Sequence, residues 1–246
     1  MLLAWIIGFS LVGSIGAIIL AGAYLLFPKR IRQTLIPCLI SYATGTLLGA
    51  AFLGLLQHAL EKAPASSILP TVLIGILVFF LLEKIVIWRH CHNADCEKHA
   101  TAGPLLLIGD AFHNFIDGIA IAAAFVASIP VGITTALAVF AHEFPQEVGD
   151  FAILLESGYS RRRALTYNTL SSLSTLPGAV IAYYFLMRVQ EFTPHIMALS
   201  GASFIYIAIA DLIPSLHKQT DLIFAIRQFA FILAGVGTIL LFHMDW

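Results

Sequence analysis

Charge is what this sequence has least of. Of its 246 residues, 11% are charged and 59% are hydrophobic, whereas a soluble domain carries about 25% charged residues. So few charges cannot coat a water-soluble body of this size. A mean hydropathy of +0.92 points to lipid as the partner of most of the surface. There is no basic excess either, with 13 basic against 14 acidic residues and a net charge of −1, so nothing points to nucleic acid. Three cysteines, Cys38, Cys91 and Cys96, are too few for a disulfide scaffold. No basic segment precedes the first apolar run, and that run, Leu2 to Phe27, is too long for a signal-peptide core; it reads as a first span. The strict polar–apolar alternation of barrel strands is missing, as are low-complexity tracts and solenoid repeats.

What is present is a series of apolar stretches of about bilayer length, roughly 20 residues each. They fall at about residues 3–27, 34–57, 68–88, 104–127, 131–155, 164–187, 195–216 and 222–244. The expected fold is all-α: a polytopic membrane protein, an eight-transmembrane-helix bundle, with residues 1–246 forming a single transmembrane domain. The shortest divide is Ser128–Ile129–Pro130, where Pro130 favours a turn. With eight spans, Lys29, Arg30, Arg32, Lys84, Arg89, Lys98, Arg161, Arg162, Arg163, Lys218 and Arg227 fall on one side and only Lys62 and Arg188 on the other. The positive-inside rule then places both termini outside the cytoplasm. Minimal loops and no targeting segment suit a bacterial inner (plasma) membrane.

Ionisable groups inside spans are expensive, by several kcal/mol each, yet here they cluster. The fourth stretch holds Asp110, His113, Asn114 and Asp117, and the fifth holds His142, Glu143, Gln146, Glu147 and Asp150. Residues four apart share a helix face, which groups His113 with Asp117, His142 with Gln146 and Asp150, and Glu143 with Glu147. The two stretches are consecutive and antiparallel, so both clusters can meet at mid-bilayer. Imidazole, carboxylate and amide suit zinc, iron(II), manganese(II) or cadmium(II), and the missing thiolate argues against copper(I). A divalent cation, or protonation, lowers the cost of Asp117, Glu143 and Glu147 in a dry bundle. Asp110 and Asp150 lie nearer the helix ends, where a solvated or capping role competes with a place in the cluster. Pro145 removes one backbone hydrogen bond, and a broken helix beside a polar cluster is a recurrent way to build an ion site.

At these residues the chain resembles the ZIP (Zrt/Irt-like) metal transporters. His113–Asn114–Phe115–Ile116–Asp117–Gly118 matches the family's His-Asn-x-x-Asp-Gly pattern. His142–Glu143–Phe144–Pro145–Gln146–Glu147, followed by Val148–Gly149–Asp150–Phe151–Ala152, is similar to the branch with His-Glu-x-Pro-His-Glu. Phe79–Phe80–Leu81–Leu82–Glu83–Lys84, Cys91–His92, and Tyr206 through Pro214 are similar to that branch's third and seventh spans. The resemblance implies eight helices with termini outside, metal uptake into the cytoplasm by one helix group sliding against the other, and usually a homodimer. It carries the paired metal positions onto His113, Asn114, Asp117, His142, Glu143, Gln146 and Glu147. The divalent cation is then the transported substrate, and no catalytic residue or catalytic cofactor is expected. Three positions depart from the pattern. Gln146 replaces the usual His, so selectivity shifts toward harder cations. Ala50 and Gly54 stand where relatives often carry Asp and His, and Ser215 stands where Glu is common.

Rival readings are an intramembrane zinc metalloprotease, since His142–Glu143 opens like His-Glu-x-x-His, and a bis-histidine haem carrier. The first lacks the second histidine of its motif. The second would pack carboxylates against a porphyrin. Three other features have bland alternatives. Gln57, His58 and Glu61 form either an access funnel or a wet helix end. His90, Cys91, His92, Cys96 and His99 form either a metal acceptor or a merely polar loop. Gly45 and Gly49 permit close helix packing, within the chain or between copies. Asn168 and Thr175 are further candidate oxygen ligands.

Overall fold

The computed structural model describes residues 1–88, 102–217 and 221–244, and every described element is helical. Eight long helical segments follow one another: α1 (Leu2–Leu25), α2 (Lys29–Lys62), α3 (Ala65–Trp88), α4 (Ala102–Ala127), α5 (Ile129–Glu156), α6 (Arg161–Arg188), α7 (Gln190–Leu216) and α8 (Leu222–Met244). Seven of them are long and apolar enough to cross a membrane. The one that falls short is α5. Its 28 residues reach about 42 Å at 1.5 Å per residue, ample for a bilayer, but His142, Glu143, Gln146, Glu147 and Asp150 depress its apolarity. The expected count of eight therefore stands at seven by apolarity, and the polar cluster is the reason.

Local chemistry explains the joints. Ser128 is extended, and its hydroxyl accepts from Val131 N at 3.3 Å, capping α5 with Pro130 in the first turn, where proline's missing N–H does no harm. Between α5 and α6, Gly158 takes φ of 86°, a left-handed conformation that glycine adopts freely, and Ser160 caps Arg163 N. Helix α6 is interrupted at Leu173 and Ser174. Short π-helical turns interrupt α1 at Val12–Gly16, α2 at Ala50–Leu55 and α7 at Ala208–Leu212. Contrary to expectation, α5 does not break at Pro145; one lost hydrogen bond is tolerated in a helix flanked by packed neighbours.

Small residues set the packing. The core runs through Ala50, Ala51, Ala120, Ala122, Ala123, Ala124, Ala138, Ala179 and Ala198, all fully buried. Helices α4 and α6 meet backbone to backbone: a methyl group on Gly118 would collide with the Thr175 carbonyl, and one on Gly178 with the Phe115 carbonyl. Helices α2 and α8 meet the same way at Gly45, against the Ile232 carbonyl, and at Gly235, against the Tyr42 carbonyl. The Gly45/Gly49 face is thus covered by α8 of the same chain. Large apolar side chains point outward, as on α3 (Leu69, Leu73, Leu77, Leu81) and α8 (Ile223, Ile226, Phe229, Leu233), the arrangement that lipid selects. The chain is a polytopic all-α membrane protein.

Candidate metal centre

Helices α4 and α5 bring four donors together. His113 Nε2 lies 3.1 Å from His142 Nε2, 3.6 Å from Asp117 Oδ2 and 3.3 Å from Glu143 Oε1. His142 Nε2 lies 3.1 Å from Asp117 Oδ2 and 3.6 Å from Glu143 Oε1. Donors placed 2.0–2.1 Å from a tetrahedral zinc stand about 3.3–3.4 Å from one another, so these five edges bracket the size of such a polyhedron. Asp117 and Glu143 are fully buried, and neither oxygen of either carboxylate has a hydrogen-bond partner among the described residues. The His142 ring has its Nδ1 on the Ala138 carbonyl at 2.9 Å. Nδ1 must donate there, so Nε2 keeps its lone pair for the cluster, the usual way a second hydrogen bond selects the tautomer of a ligand histidine. Lone pairs facing one another at 3.1–3.6 Å repel unless a cation or a proton lies among them. A divalent cation offsets the several kcal/mol that each buried carboxylate costs.

A second group shares Glu143. Ligand oxygens of Asp110, Glu143 and Glu147 lie within 4.8 Å of one another, all three residues buried. Asp110, left open above as a capping or solvated residue, is 4% exposed and lies in this second group, outside the four-donor set. Its Oδ1 accepts from Asn114 Nδ2 at 3.0 Å and from Gln146 Nε2 at 3.1 Å. Asn114 Nδ2 also donates to the Asp110 backbone carbonyl at 3.2 Å, so turning the amide round would set its oxygen against two acceptors; its Oδ1 lies 3.0 Å from Thr175 Oγ1. Glu147 is held from α6, by Asn168 Nδ2 and the Ser172 hydroxyl. Asn168 and Ser172 lie in the regular helical stretch before the interruption of α6 at Leu173 and Ser174, and the Ser174 hydroxyl bonds the Ala111 carbonyl. Of the seven positions carried over from the family pattern, His113, Asp117, His142 and Glu143 converge on one point. Glu147 joins the second group, and the amides of Asn114 and Gln146 turn to Asp110. Asn168 and Thr175 act as hydrogen-bond donors to Glu147 and Asn114. Asp150 is also buried.

A cavity of about 1020 Å³ reaches this centre from one side. It is walled by Phe79, Glu83, Asp150, Tyr206 and Asp211, and it touches Asp110, His113 and Gln146. Of the four converging donors only His113 lines it, with 20% of its side chain exposed. The cavity runs toward the end of the bundle where α3, α5 and α7 finish. At its rim the Tyr206 hydroxyl donates to Glu83. Ala50 and Ala51 of the α2 π-turn are fully buried apolar residues, and α2 supplies neither donor group. At the far end of α2, Gln57 Nε2 pairs with Glu61 at 3.4 Å on the exposed helix end. His90, Cys91, His92, Cys96 and His99 lie outside the described residues.

An N₂O₂ donor set with three of its four residues fully buried thus lies inside a polytopic helical bundle, and comparison with known proteins gives the class of that bundle. A family model described as ZIP Zinc transporter matches residues 89–243, more than half of the sequence, and the chain belongs to the ZIP zinc transporter family. It is 32% identical over 224 residues to Zinc transporter ZIP13 of Pongo abelii, covering 84% of this chain and 66% of that protein. It is 40% identical over 144 residues to Zinc transporter ZIP10 of Danio rerio, covering 56% and 17%. It is 41% identical over 147 residues to Metal cation symporter ZIP8 of Rattus norvegicus, covering 56% and 31%. The chain thus spans between 17% and 66% of the length of these relatives. Their transporter names lend no support to a protease. A haem carrier is also disfavoured, because nitrogens 3.1 Å apart leave no room for a porphyrin plane between them.

Proposed function

We propose that the chain carries a divalent transition metal across a membrane, zinc first, with iron, manganese and cadmium as alternative cargoes. The cation is held between α4 and α5 by His113, Asp117, His142 and Glu143. Glu147 adds a carboxylate beside Glu143, and Asn114 and Gln146 serve the site through their hydrogen bonds to Asp110. The observation that carries this reading is the set of donor separations, 3.1–3.6 Å, at two buried carboxylates without hydrogen bonds. The cation is substrate here, so it must leave again. The cavity beside His113 supplies an aqueous way out, and carboxylates along it supply successive partners for a cation shedding one ligand at a time. The names of relatives, zinc transporters and a metal cation symporter, favour the same cargo class.

Direction rests on charge. In the eight-span reading, the loops that follow α1, α3, α5 and α7 carry eleven of the 13 basic residues; the cavity runs toward the ends of α3, α5 and α7, and by the positive-inside rule that side is cytoplasmic. Cation released into the cavity therefore enters the cytoplasm, and both termini lie outside it. The membrane is a plasma membrane, bacterial by the economy of the loops, with lipid around α3 and α8 and a second copy as the expected partner. The test is zinc flux into proteoliposomes. His113→Ala and His142→Ala each abolish it while the protein stays monodisperse in detergent. Wild-type flux from both folded variants would remove the assigned centre. Competition by iron, manganese and cadmium ranks the cargoes.

A further inference from the structure

Gln146 offers a metal two different services, and the geometry separates them. Its amide oxygen could bind a cation directly, in the role of the histidine usual at this position. Its amide nitrogen instead donates to Asp110 Oδ1 at 3.1 Å. Asn114 Nδ2 donates to the same oxygen at 3.0 Å, its orientation fixed by a second acceptor, the Asp110 backbone carbonyl, at 3.2 Å. Two amides on two helices thus grip one carboxylate oxygen. Among the described residues the other, Oδ2, has no hydrogen-bond partner, although Asp110 is 4% exposed. The Ser171 side chain lies beside Asp110, but its hydroxyl donates to the Asn168 carbonyl at 3.0 Å. A buried carboxylate oxygen left bare while its twin is doubly bonded is held ready for a cation.

Position supplies the rest. Asp110 lines the cavity, as His113 and Gln146 do, whereas Asp117, His142 and Glu143 do not. Asp110 also lies within ligand distance of Glu143, which belongs to both groups. A cation leaving the four-donor set for the cavity passes the one carboxylate that touches both. We infer that Asp110 is the transfer ligand that takes the cation from the four-donor set to the cavity, and that Gln146 is a positioning residue acting through Asp110. The inference rests on the transport reading above and adds to it the order in which ligands act. It also gives Gln146 a reason to be an amide: a carboxylate there would repel Asp110, and an apolar side chain would release it.

The experiment is a double-mutant cycle read in two ways, as zinc affinity in detergent by competition with a chromophoric chelator and as turnover and KM for zinc in proteoliposomes. The variants are Asp110→Asn, Gln146→Leu and the double, with Gln146→Asn and Gln146→Glu as shape and charge controls. Asp110→Asn is expected to lower turnover about 10- to 100-fold, the range found when groups supporting a metal site are removed, with affinity within about threefold of wild type. Gln146→Leu lowers turnover about tenfold alone and less than about twofold further in the Asp110→Asn background, because a residue acting through another has nothing left to act on. Gln146→Glu is worse than Gln146→Leu, and Gln146→Asn, which keeps the amide on a shorter stem, recovers part of the loss. Retained zinc affinity doubles as the check of folding. Unchanged turnover in Asp110→Asn, loss of zinc affinity in Asp110→Asn or Gln146→Leu, or multiplicative effects in the double variant each overturn the inference. The transport reading fails on different grounds, namely no zinc flux by wild type or undiminished affinity in His113→Ala.

Discussion

The two sides of the His113–His142 pair are built from different materials. Toward the Ser128 turn, α4 and α5 present Ala120, Ile121, Ala122, Ala123, Ala124 and Phe125 against Val131, Ala136, Ala138 and Val139, all buried. The Phe204 ring, fully buried, meets the edge of His142 with centroids 6.0 Å apart. Toward the other end, the same two helices carry Asp110, Gln146 and Asp150 on the wall of a cavity of about 1020 Å³. Small apolar residues close one side because alanines let helices touch without gaps. Carboxylates and amides hold the other side open because each must be solvated or paired. Among the described residues, the cavity of about 1020 Å³ meets the pair from one side, and the asymmetry is written in residue type along single helices.

The comparison can be broken at its hinge first. His142→Ala or Asp117→Asn removes a donor from the four-atom set and is expected to weaken zinc binding by more than about 100-fold, beyond the range typical of supporting residues, as read by isothermal titration. Binding within threefold of wild type would mean that the cation sits elsewhere. On the packed side, Gly118→Val drives a branched side chain into the Thr175 carbonyl and should destabilise the protein by about 3 kcal/mol or more, read as a large fall in the detergent melting temperature. An unchanged melting temperature would show that α4 and α6 are not in backbone contact.

Thiol labelling sharpens the contrast between the sides. In a background with Cys38, Cys91 and Cys96 changed to serine, Ser215→Cys on the cavity wall should react with a charged maleimide at least about tenfold faster than Ala123→Cys in the packed half, since reactivity follows access and thiolate formation. Equal rates would mean that both sides are equally wet. The smallest effect is expected at the far end of α2. Glu61→Ala removes an exposed partner of Gln57 and should change zinc KM less than about twofold and stability by under about 0.5 kcal/mol. A fivefold rise in KM would make that end an access funnel instead of a wet helix terminus.

Much of this was legible because lipid imposes a strict code. Apolar runs marked every helix, yet α2 extends from Lys29 to Lys62, well past the expected 34–57, because hydrogen bonding continues through polar ends that apolarity cannot see. The convergence of His113, Asp117, His142 and Glu143 was legible because four-residue spacing on consecutive antiparallel helices leaves few other arrangements. Asp110 was not, since nothing along α4 says that α5 and α6 cover its end and withhold solvent. The support from Ser172 and Ser174 was equally hidden. Serines are common in membrane helices, and which of them meet α4 and α5 is decided by how α6 packs against those helices. Pro145 misled for a related reason, since its lost hydrogen bond depends on neighbours for its consequence.

X-ray absorption at the zinc edge, on protein loaded with one equivalent of zinc, tests the central claim most directly. Coordination by His113, Asp117, His142 and Glu143 predicts four light donors at about 2.0–2.1 Å, two with imidazole scattering, unchanged when Cys91 and Cys96 become serine and lost in the His113→Ala, His142→Ala double variant. Sulfur at about 2.3 Å, or a spectrum indifferent to the loss of both histidines, would contradict it.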